Sequence, residues 1–307
     1  MSVAAQAPTQ SLARNNFLST AKFLIQVSRP GLWTTTTLFY LMPLGRSFDV
    51  RSAAFWTGLF YIVFPLSLLL YGVNDIVDAE GDRLNPRKGT YLFGSRGADQ
   101  QLRSLRWQIA MSQIPFFFLF WHWTDTRILF WFAAILFAVF FYNARPIALK
   151  GRPPFDVLIQ GSYLLIFILS SWLNRVPQLP WQTFLFGALF AMHSHVFGEI
   201  MDIEPDEKSG RRTLATQIGR VRAKSFIASL LLIECFLLSR FFSDLAITIF
   251  LALGALFFLL DAIFIWRNRA YTPQQMRLFL WGWNFAAVLG IFWNALHGSL
   301  LSAHPLR

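Results

Sequence analysis

The sequence predicts an all-α fold: a multi-pass membrane bundle of nine transmembrane helices. Of the 307 residues, 55% are hydrophobic and only 14% are charged, whereas soluble globular chains carry about 25% charged residues. The mean hydropathy is +0.46, as expected of a chain solvated mainly by lipid. This composition excludes a disordered protein, a soluble nucleic-acid binder and a small secreted scaffold. The single cysteine, Cys235, excludes an intrachain disulfide.

Nine segments are apolar on all sides, which is typical of helices embedded in a membrane. In chain order they are residues 23–45, 55–73, 107–123, 127–142, 156–173, 182–198, 223–240, 244–265 and 278–298. Each approaches the roughly 20 apolar residues that a spanning helix needs. We expect them to form one transmembrane domain, 23–298, between an N-terminal cytoplasmic tail, 1–22, and a C-terminal tail, 299–307.

The basic residues are distributed unevenly between the loops. With a cytoplasmic N-terminus and nine spans, 21 of the 27 Lys and Arg residues fall on the cytoplasmic side and 6 on the other. Loops rich in Lys and Arg tend to stay in the cytoplasm. The sequence therefore predicts an integral membrane protein with its N-terminus inside and its C-terminus outside, in the inner membrane if the cell is bacterial.

Two short acidic windows follow the second and sixth spans. They are residues 75–82 and 199–207, and they hold nine of the 16 acidic residues. Both fit the pattern Asp/Glu-x-x-Asp-x-Glu-x-Asp, and both lie on the predicted cytoplasmic side. The repetition suggests two halves of a helical bundle, each contributing one acidic cluster to one cytoplasmic-side cavity.

Helical geometry indicates which polar groups of the first window converge. At about 100° per residue, Asn74, Asp75, Asp78 and Asp82 share an arc of roughly 100°. Glu80 points to the other side. Carboxylates one turn apart repel each other, and the cost increases at the edge of a membrane. We therefore expect cations to offset these charges.

The second window makes a similar arc from His195, Glu199, Asp202 and Asp206, provided that the helix continues past Pro205. Proline disrupts a helix interior, which opposes this continuation. Clusters made of carboxylates alone favour a hard ion, Mg²⁺ or Ca²⁺. Because Mg²⁺ is commonly shared with substrate phosphates, two such clusters beside basic residues suit a diphosphate. The basic candidates are Arg29, Arg83, Arg145, Lys150, Arg211 and Arg212.

These motifs resemble those of the UbiA-type intramembrane prenyltransferases. Asn74-Asp75-x-x-Asp78-x-x-x-Asp82 is similar to the first family motif, and Asp202-x-x-x-Asp206 is similar to the second. The stretch from Tyr142 to Lys150 is similar to the segment after the fourth helix, and the pair Arg29-Pro30 lies where the first helix often carries it. The resemblance covers most of the chain and agrees with a nine-helix fold.

The resemblance implies Mg²⁺-dependent transfer of a prenyl group, through an allylic carbocation, from an isoprenoid diphosphate to a lipophilic acceptor in the bilayer. The acceptor is an aromatic compound, a quinone precursor or a polyene, and no nucleic acid is involved. Tyr142 is the first candidate for a ring that stabilises the cation, and Lys150 is the candidate contact of the phosphate. The implied ligands of Mg²⁺ and diphosphate are Asn74, Asp75, Asp78, Asp82, Asp202 and Asp206.

The chain departs from the usual family pattern at several positions. Asn143 replaces a serine and Arg145 replaces a proline, and the run Asn85-Pro86-Arg87-Lys88 follows the first motif. That run is similar to the branch that extends carotenoids such as lycopene.

A cation-coupled transporter is the alternative. It would place the acids near the middle of the spans and would contain broken helices. The acids here stand at span ends beside basic residues, which favours an anionic substrate. A phosphatidyl-type phosphotransferase is a second rival, but the Asp-Gly-x-x-Ala-Arg element of that class is absent from the sequence.

Overall fold

The computed structural model describes the backbone of residues 8–83, 85 and 87–303, with side chains from residue 18 onward. Pro86, residues 1–7 of the expected N-terminal tail and residues 304–307 of the expected C-terminal tail lie outside the described residues. Within them the fold is all-helical, as the sequence predicts, apart from one isolated β-bridge between Thr90 and Gly94.

The described residues form fourteen α-helices, some of which are single turns. In order they are α1 (Pro8–Val27), α2 (Trp33–Leu41), α3 (Ala53–Val63), α4 (Pro65–Val77), α5 (Ala79–Asp82), α6 (Asp99–Thr124), α7 (Arg127–Asn143), α8 (Phe155–Leu158), α9 (Leu165–Asn174), α10 (Trp181–Ser209), α11 (Leu214–Ile218), α12 (Arg220–Leu237), α13 (Leu245–Ile263) and α14 (Pro273–His297). Short 3₁₀ turns connect several of them, and α12 continues into a π-helical segment, Leu238–Phe242.

The first apolar segment is interrupted rather than continuous. Helix α1 begins at Pro8, inside the expected tail, and ends at Val27. Arg29 then adopts φ 52°, and a 3₁₀ turn over Pro30–Leu32 leads into α2. Proline lacks a backbone N–H and disfavours the α conformation in the residue before it, so the helix cannot pass through Pro30. The break points Arg29 sideways, towards the acidic end of α4.

The second apolar segment consists of two helices instead of one. Helix α3 begins with Ser52 as its N-cap, whose side chain accepts a hydrogen bond from the Phe55 N–H, and α4 begins at Pro65 after the junction residue Phe64. The missing N–H of proline costs nothing at the first position of a helix. The third segment is longer than the apolar run alone indicates, because α6 begins at Asp99.

Six helical stretches in the described chain are long and apolar enough to cross a membrane. They are Ala53–Val77, Phe155–Asn174, Trp181–Ser209, Arg220–Phe242, Leu245–Ile263 and Pro273–His297. Helix α7 is apolar but has only 17 residues. Large apolar side chains such as Phe130 and Leu245 point outward, with 76% and 70% of their surface exposed, and such a surface suits lipid rather than water. The chain is therefore a multi-pass helical membrane protein.

Candidate active site

The ends of α4 and α10 meet at one end of the bundle and bring the two acidic windows together. Asp78 caps α4, where its N–H donates to the Asn74 carbonyl, and α10 continues through Pro205 as far as Ser209. Arg211 joins the two windows, because one of its nitrogens lies 2.6 Å from Asp78 Oδ2 and another 3.6 Å from Asp206 Oδ1. The second window is thus helical throughout, as its arc requires.

A second link between the windows comes from the loop that follows α5. The Asn85 amide donates a hydrogen bond of 2.9 Å to Asp202 Oδ1. The Arg87 guanidinium grips the same carboxylate in a two-point contact, with Nε 2.9 Å from Oδ1 and Nη2 paired with Oδ2. Two-point contacts of this kind fix the geometry as well as the charge.

Asp75 and Asp82 share a lysine. Lys88 Nζ lies 2.7 Å from Asp75 Oδ1 and 2.7 Å from Asp82 Oδ2. Asp75 is also paired with Arg29 at 3.0 Å, and its other oxygen accepts a hydrogen bond from Ser95. The interrupted first segment and the loop after α5 therefore both supply cations to the first window.

Lys150 is buried under the first window. It lies in the 3₁₀ turn Leu149–Gly151, and its Nζ donates to Asp78 Oδ1 at 2.7 Å, to Asn143 Oδ1 at 2.9 Å and to Asn74 Oδ1 at 3.2 Å. All three donors of the ammonium group are therefore satisfied. The arrangement places Lys150 beside the polar residues that end α4 and α7.

Burial and the neighbouring opposite charges shift the pKa values of Asp78, Asp82 and Lys150 in opposite directions. Burial alone would raise the pKa of Asp78, but the positive charges of Arg211 and Lys150 outweigh it and the pKa lies below the ordinary value. The pKa of Asp82 is raised, because burial prevails over its pairing with Lys88. Burial also lowers the pKa of Lys150, although Asp78 opposes the shift. Of the two carboxyl groups, Asp78 therefore loses its proton at lower pH than Asp82.

The oxygen donors suit a hard divalent cation by their chemistry. The two windows present carboxylates and the Asn74 and Asn85 amides, which are the ligand types that Mg²⁺ prefers. Among the described residues, however, no three His, Cys, Asp or Glu side chains converge as they would around a metal ion. The five aspartates of the two windows are instead each paired with Lys or Arg. A cation and an anionic ligand entering together would allow these pairs to exchange partners without leaving a charge uncompensated.

A cavity of about 340 Å³ opens next to these pairs. Its polar part is lined by Asp82, Asp202 and Asp206, whereas Asp75 and Asp78 lie behind the cations Lys88 and Lys150. Its apolar part is rich in rings, namely Phe39, Tyr71, Tyr142, Tyr163, Phe190, Phe197, Phe279 and Trp283. Aromatic faces attract cations and exclude water. The cavity therefore joins a charged mouth to an aromatic interior.

Tyrosines lie at the boundary between these two parts. The Lys150 ammonium lies 5.9 Å from the centre of the Tyr142 ring. The Arg29 guanidinium lies 4.5 Å from the centre of the Tyr71 ring, and the Tyr71 hydroxyl is 3.1 Å from that of Tyr163. The aromatic wall begins where the charged groups end.

Three of the arginines that were candidates for binding the diphosphate, Arg83, Arg145 and Arg212, do not line the cavity. Arg83 pairs with Asp99 at 2.7 Å, and both side chains are mostly exposed. Arg145 is exposed and does not line the cavity. Glu80 is exposed and Glu204 pairs with Arg220, so both point away from the cavity, as their helical positions predict. Arg212 bonds to Gln217 at the surface.

Three cavity residues that bind the aspartates of the acidic windows were not among the predicted site residues: Asn85, Arg87 and Lys88. All three belong to the run that distinguishes this chain after the first motif. The excess of basic residues there was visible in the sequence, but their direction depends on the path of the loop. That path is fixed by tertiary contacts such as the hydrogen bond of 3.2 Å from Gly31 N–H to the Tyr91 carbonyl.

Similar proteins were found by sequence and by structure. A lycopene elongase/hydratase from Corynebacterium glutamicum is 26% identical over 294 residues, which cover 90% of this chain and 98% of that protein. One from Halobacterium salinarum is 26% identical over 286 residues, covering 90% of this chain and 99% of that protein. One from Haloferax volcanii is 30% identical over 178 residues, covering 55% and 54%.

Solved structures of a UbiA homolog from Archaeoglobus fulgidus have the same fold. The structure with DMAPP and Mg²⁺ has a TM-score of 0.64 at 18% identity, covering 90% of this chain and 99% of that one. The structure with GPP and Mg²⁺ has a TM-score of 0.59 at 17% identity, covering 89% and 99%. The sequence profile of the UbiA prenyltransferase family matches residues 32–283. The matched residues contain both acidic windows, the buried lysines Lys88 and Lys150 and the aromatic rings of the cavity. The protein therefore belongs to the UbiA prenyltransferase family.

Proposed function

We propose that the protein transfers a prenyl group from an isoprenoid diphosphate, held with Mg²⁺ at the charged mouth of the cavity, to a lipophilic polyene acceptor inside the membrane. The observation that carries the proposal is the juxtaposition of five cations with two acidic windows beside an aromatic cavity. The cations are Arg29, Arg87, Lys88, Lys150 and Arg211.

The division of the cavity supports this donor. A diphosphate suits the charged mouth, where Lys and Arg neutralise the charge that grows on the leaving oxygen as the C–O bond breaks. When bound, Mg²⁺ adds further positive charge at the same oxygens. The proposed ligands of Mg²⁺ and diphosphate are Asn74, Asp75, Asp78, Asp82, Asp202 and Asp206, and Lys150, Arg29 and Arg211 are proposed to contact the phosphates.

The aromatic interior supports an allylic cation. Water would capture such a cation, so its surroundings must be dry. The rings of Tyr71, Tyr142 and Tyr163 stand between the mouth and the interior, where they exclude water and offer electron-rich faces. We assign the face nearest the breaking bond to Tyr142, because it is the ring beside Lys150.

The proposed acceptor is a non-aromatic polyene such as lycopene. Two observations favour it over an aromatic acceptor: the run around Arg87 and Lys88 after the first motif, and the names of the relatives, which are lycopene elongase/hydratases. In the described cavity, the charged groups are concentrated at the mouth. Its interior therefore suits a hydrocarbon end better than a carboxylated ring.

The ion-pairing pattern disfavours the transporter alternative. A pathway for cations needs carboxylates that are available to the passing ion. Here Asp75, Asp78, Asp82 and Asp202 each lie within 3.0 Å of a Lys or Arg nitrogen. An anionic substrate matches those cations directly.

We further propose nine membrane crossings, with the cavity mouth in the cytoplasm. Segments 23–45, 107–123 and 127–142 would add three crossings to the six apolar helical stretches. The excess of basic residues on the side of the acidic windows supports this orientation.

Replacing one carboxylate in each window tests the proposal. We expect Asp78→Ala and Asp202→Ala each to lower prenyl transfer from radiolabelled dimethylallyl diphosphate by at least about 100-fold, since several kcal/mol of charge stabilisation at the leaving oxygen depends on them. The measurement is product and diphosphate formed per minute by the detergent-purified protein with Mg²⁺.

Glu80→Gln provides a matched control. Glu80 lies in the first window but is exposed and outside the cavity, so its removal should leave activity within about twofold. Wild-type activity in either Asp variant, or equal losses in Glu80→Gln, would contradict the proposal.

A further inference from the structure

One histidine lines the cavity away from its charged mouth. His195 lies seven residues before Asp202 on α10, a rise of about 10 Å along the helix. Its ring centre is 6.3 Å from that of Tyr142, which itself lies beside Lys150. Tyr142 therefore extends from the diphosphate end of the cavity to His195. A group attached to the diphosphate and directed inward would pass Tyr142 and reach this imidazole.

Glu199 holds the ring of His195. The Nε2 atom lies 3.0 Å from Glu199 Oε1, an ion-pair distance, and that buried oxygen accepts no hydrogen bond from the described residues in this geometry. A carboxylate oxygen only accepts, so the contact favours the tautomer with the proton on Nε2 and leaves Nδ1 as a proton acceptor. No described hydrogen bond engages Nδ1. Across the ring, Tyr142 is the titratable group that α7 presents to His195.

The carboxylate of Glu199 is itself fixed. Its Oε2 accepts a hydrogen bond of 3.1 Å from the Ala215 N–H at the start of α11. Asp156 of α8 fixes the same end of α11, because its Oδ2 accepts a hydrogen bond of 2.6 Å from the Leu214 N–H. The start of α11 thus holds the Glu199 carboxylate under the imidazole, and α8 holds the start of α11. This support resembles the carboxylate that orients a catalytic histidine in hydrolases.

The proposed reaction needs a proton acceptor in the interior. When an alkene carbon of the acceptor bonds to C1 of the prenyl group, the electron pair of the C–O bond leaves with the diphosphate. A carbocation then remains on the acceptor, and it becomes an alkene only when a neighbouring C–H proton is removed.

Other titratable groups that line the cavity are poor candidates for this proton. Arginine stays protonated, and Lys88 and Lys150 are held by carboxylates. The carboxylates of Asp82, Asp202 and Asp206 lie beside cations at the mouth, where the diphosphate would lie. Glu199 is buried behind the imidazole. His195 is the cavity-lining group that combines a neutral form, a free ring nitrogen and a position in the aromatic part.

We propose that His195 is the general base that ends the reaction, with Glu199 as the residue that positions it; the inference rests on the proposed function. Nδ1 takes the proton from the carbon next to the cationic centre, the C–H electron pair forms the new double bond, and the imidazolium charge is balanced by Glu199. The proton then leaves to solvent in the next cycle.

The test separates proton removal from ionisation. Membranes or purified protein receive radiolabelled dimethylallyl diphosphate, Mg²⁺ and lycopene, and three quantities are measured: released diphosphate, prenylated carotenoid and free dimethylallyl alcohol. We expect His195→Gln to form the carotenoid roughly 100-fold more slowly, while diphosphate release falls much less and the alcohol takes a larger share. The ratio of carotenoid to diphosphate should decrease at acidic pH in the wild type, and His195→Gln should lack this decrease.

Glu199→Gln keeps the imidazole and removes the charge that balances it. We expect a smaller loss in the same ratio, about tenfold, with the acidic decrease shifted along the pH axis. This variant also keeps the test decisive if His195→Gln fails to fold. His122→Gln, an exposed histidine on α6, should match the wild type.

Two results would overturn the inference. One is an unchanged ratio and pH profile in both variants. The other is an equal loss of diphosphate release and carotenoid in both, because a purely structural role predicts that pattern. If the wild type itself forms neither diphosphate nor prenylated product, the proposed function fails, which is distinct from failure of the base.

Discussion

Single side chains define the charged mouth through pairs that cross between helices. Lys150 joins the ends of α4 and α7, and Arg211 joins α4 with α10. Each cation is held by a carboxylate that belongs to a different part of the chain. The pairs consequently fix positive charge at the cavity before any substrate enters, and preorganised charge is what stabilises a leaving group most effectively.

Removal of the Lys150 ammonium should specifically weaken the interaction of the charged mouth with the prenyl diphosphate. In Lys150→Met we expect kcat/KM for the prenyl diphosphate to fall by roughly 10- to 100-fold, because a hydrogen bond to a charged group contributes about 1.5–3 kcal/mol. Steady-state kinetics with varied donor measure the change. Lys208→Met is the matched control, since Lys208 is exposed near the second window and outside the cavity. Similar losses in both variants would argue against a specific role.

Residue spacing alone predicted which acids share a face, but it missed the partners of those acids. Asp75, Asp78 and Asp82 are spaced about one turn apart. Although Asp78 lies at a junction between α4 and α5, the Asp82 N–H still donates to the Asp78 carbonyl. Arg87 and Lys88 reach the windows from a loop without a period, so their direction cannot be read from spacing. For these two residues the sequence showed an excess of basic side chains but not the direction in which those side chains point.

Among the helices, the break between α1 and α2 has the clearest effect on the site. It turns Arg29 towards Asp75 and brings Gly31 against the loop that follows α5. A Cβ on Gly31 would stand 2.6 Å from the Leu92 carbonyl oxygen and 2.9 Å from its Cα. These are backbone atoms, so the loop rather than a flexible side chain would have to move.

Gly31→Ala should therefore impair the site more than the fold. Overpacking costs about 1–3 kcal/mol, and here it displaces the loop with Arg87 and Lys88. We expect kcat/KM for the donor to fall by about tenfold with only a modest decrease in the unfolding temperature. Both are measured on the detergent-purified protein.

Gly282→Ala is the corresponding control. Gly282 lies inside α14, and a Cβ there meets no atom within 4 Å. Since alanine favours a helix by about 1 kcal/mol over glycine, this variant should keep its activity and be slightly more stable. Full activity of Gly31→Ala would show that the loop tolerates displacement.

Sequence patterns identified most helices and missed their interruptions. Apolar runs predicted α13 and the start of α10 closely, whereas α10 ends at Ser209, eleven residues beyond the predicted span 182–198. The junction at Phe64 and the turn at Arg29 depend on Pro65 and Pro30, whose effect is local and does not alter hydropathy. Pro205 gave the opposite result, because α10 continues through it.

At the scale of the whole molecule, a buried ion pair links the last helices of the bundle. Lys224 Nζ lies 2.9 Å from Asp261 Oδ2, and both side chains are fully buried. Lys224 also donates to the Arg267 carbonyl, and Asp261 accepts from the Trp266 N–H and the Tyr271 hydroxyl. The pair thereby connects α12, α13 and the turn that leads into α14.

Breaking this pair on one side should destabilise the bundle. Lys224→Met leaves the Asp261 charge buried without a cation, which typically costs about 3–5 kcal/mol. We expect a lower unfolding temperature in detergent. The double variant Lys224→Met with Asp261→Asn should recover part of the loss, because no buried charge remains. Wild-type stability of the single variant would mean that the pair contributes nothing.

At the scale of the whole molecule, the composition predicted the fold class, because a chain with so few charged residues is not expected to fold in water. The orientation of the bundle stays a prediction from its basic loops. The meeting of the two windows required long-range contacts, such as Asn85 with Asp202 and Asp78 with Arg211, between residues more than 100 positions apart. Spacing within each window gave no information on that approach.

Helix α10 has 29 residues, a length of about 43 Å, whereas the hydrocarbon layer of a bilayer measures about 30 Å. A rod of this length emerges into the headgroup region, and with the proposed orientation its projecting end carries Asp202 and Asp206. The charged mouth would then lie at the boundary between the aqueous phase and the lipid. A water-borne reactant could be collected at the surface and an oil-soluble one from the side, so neither would have to be carried into the solvent of the other.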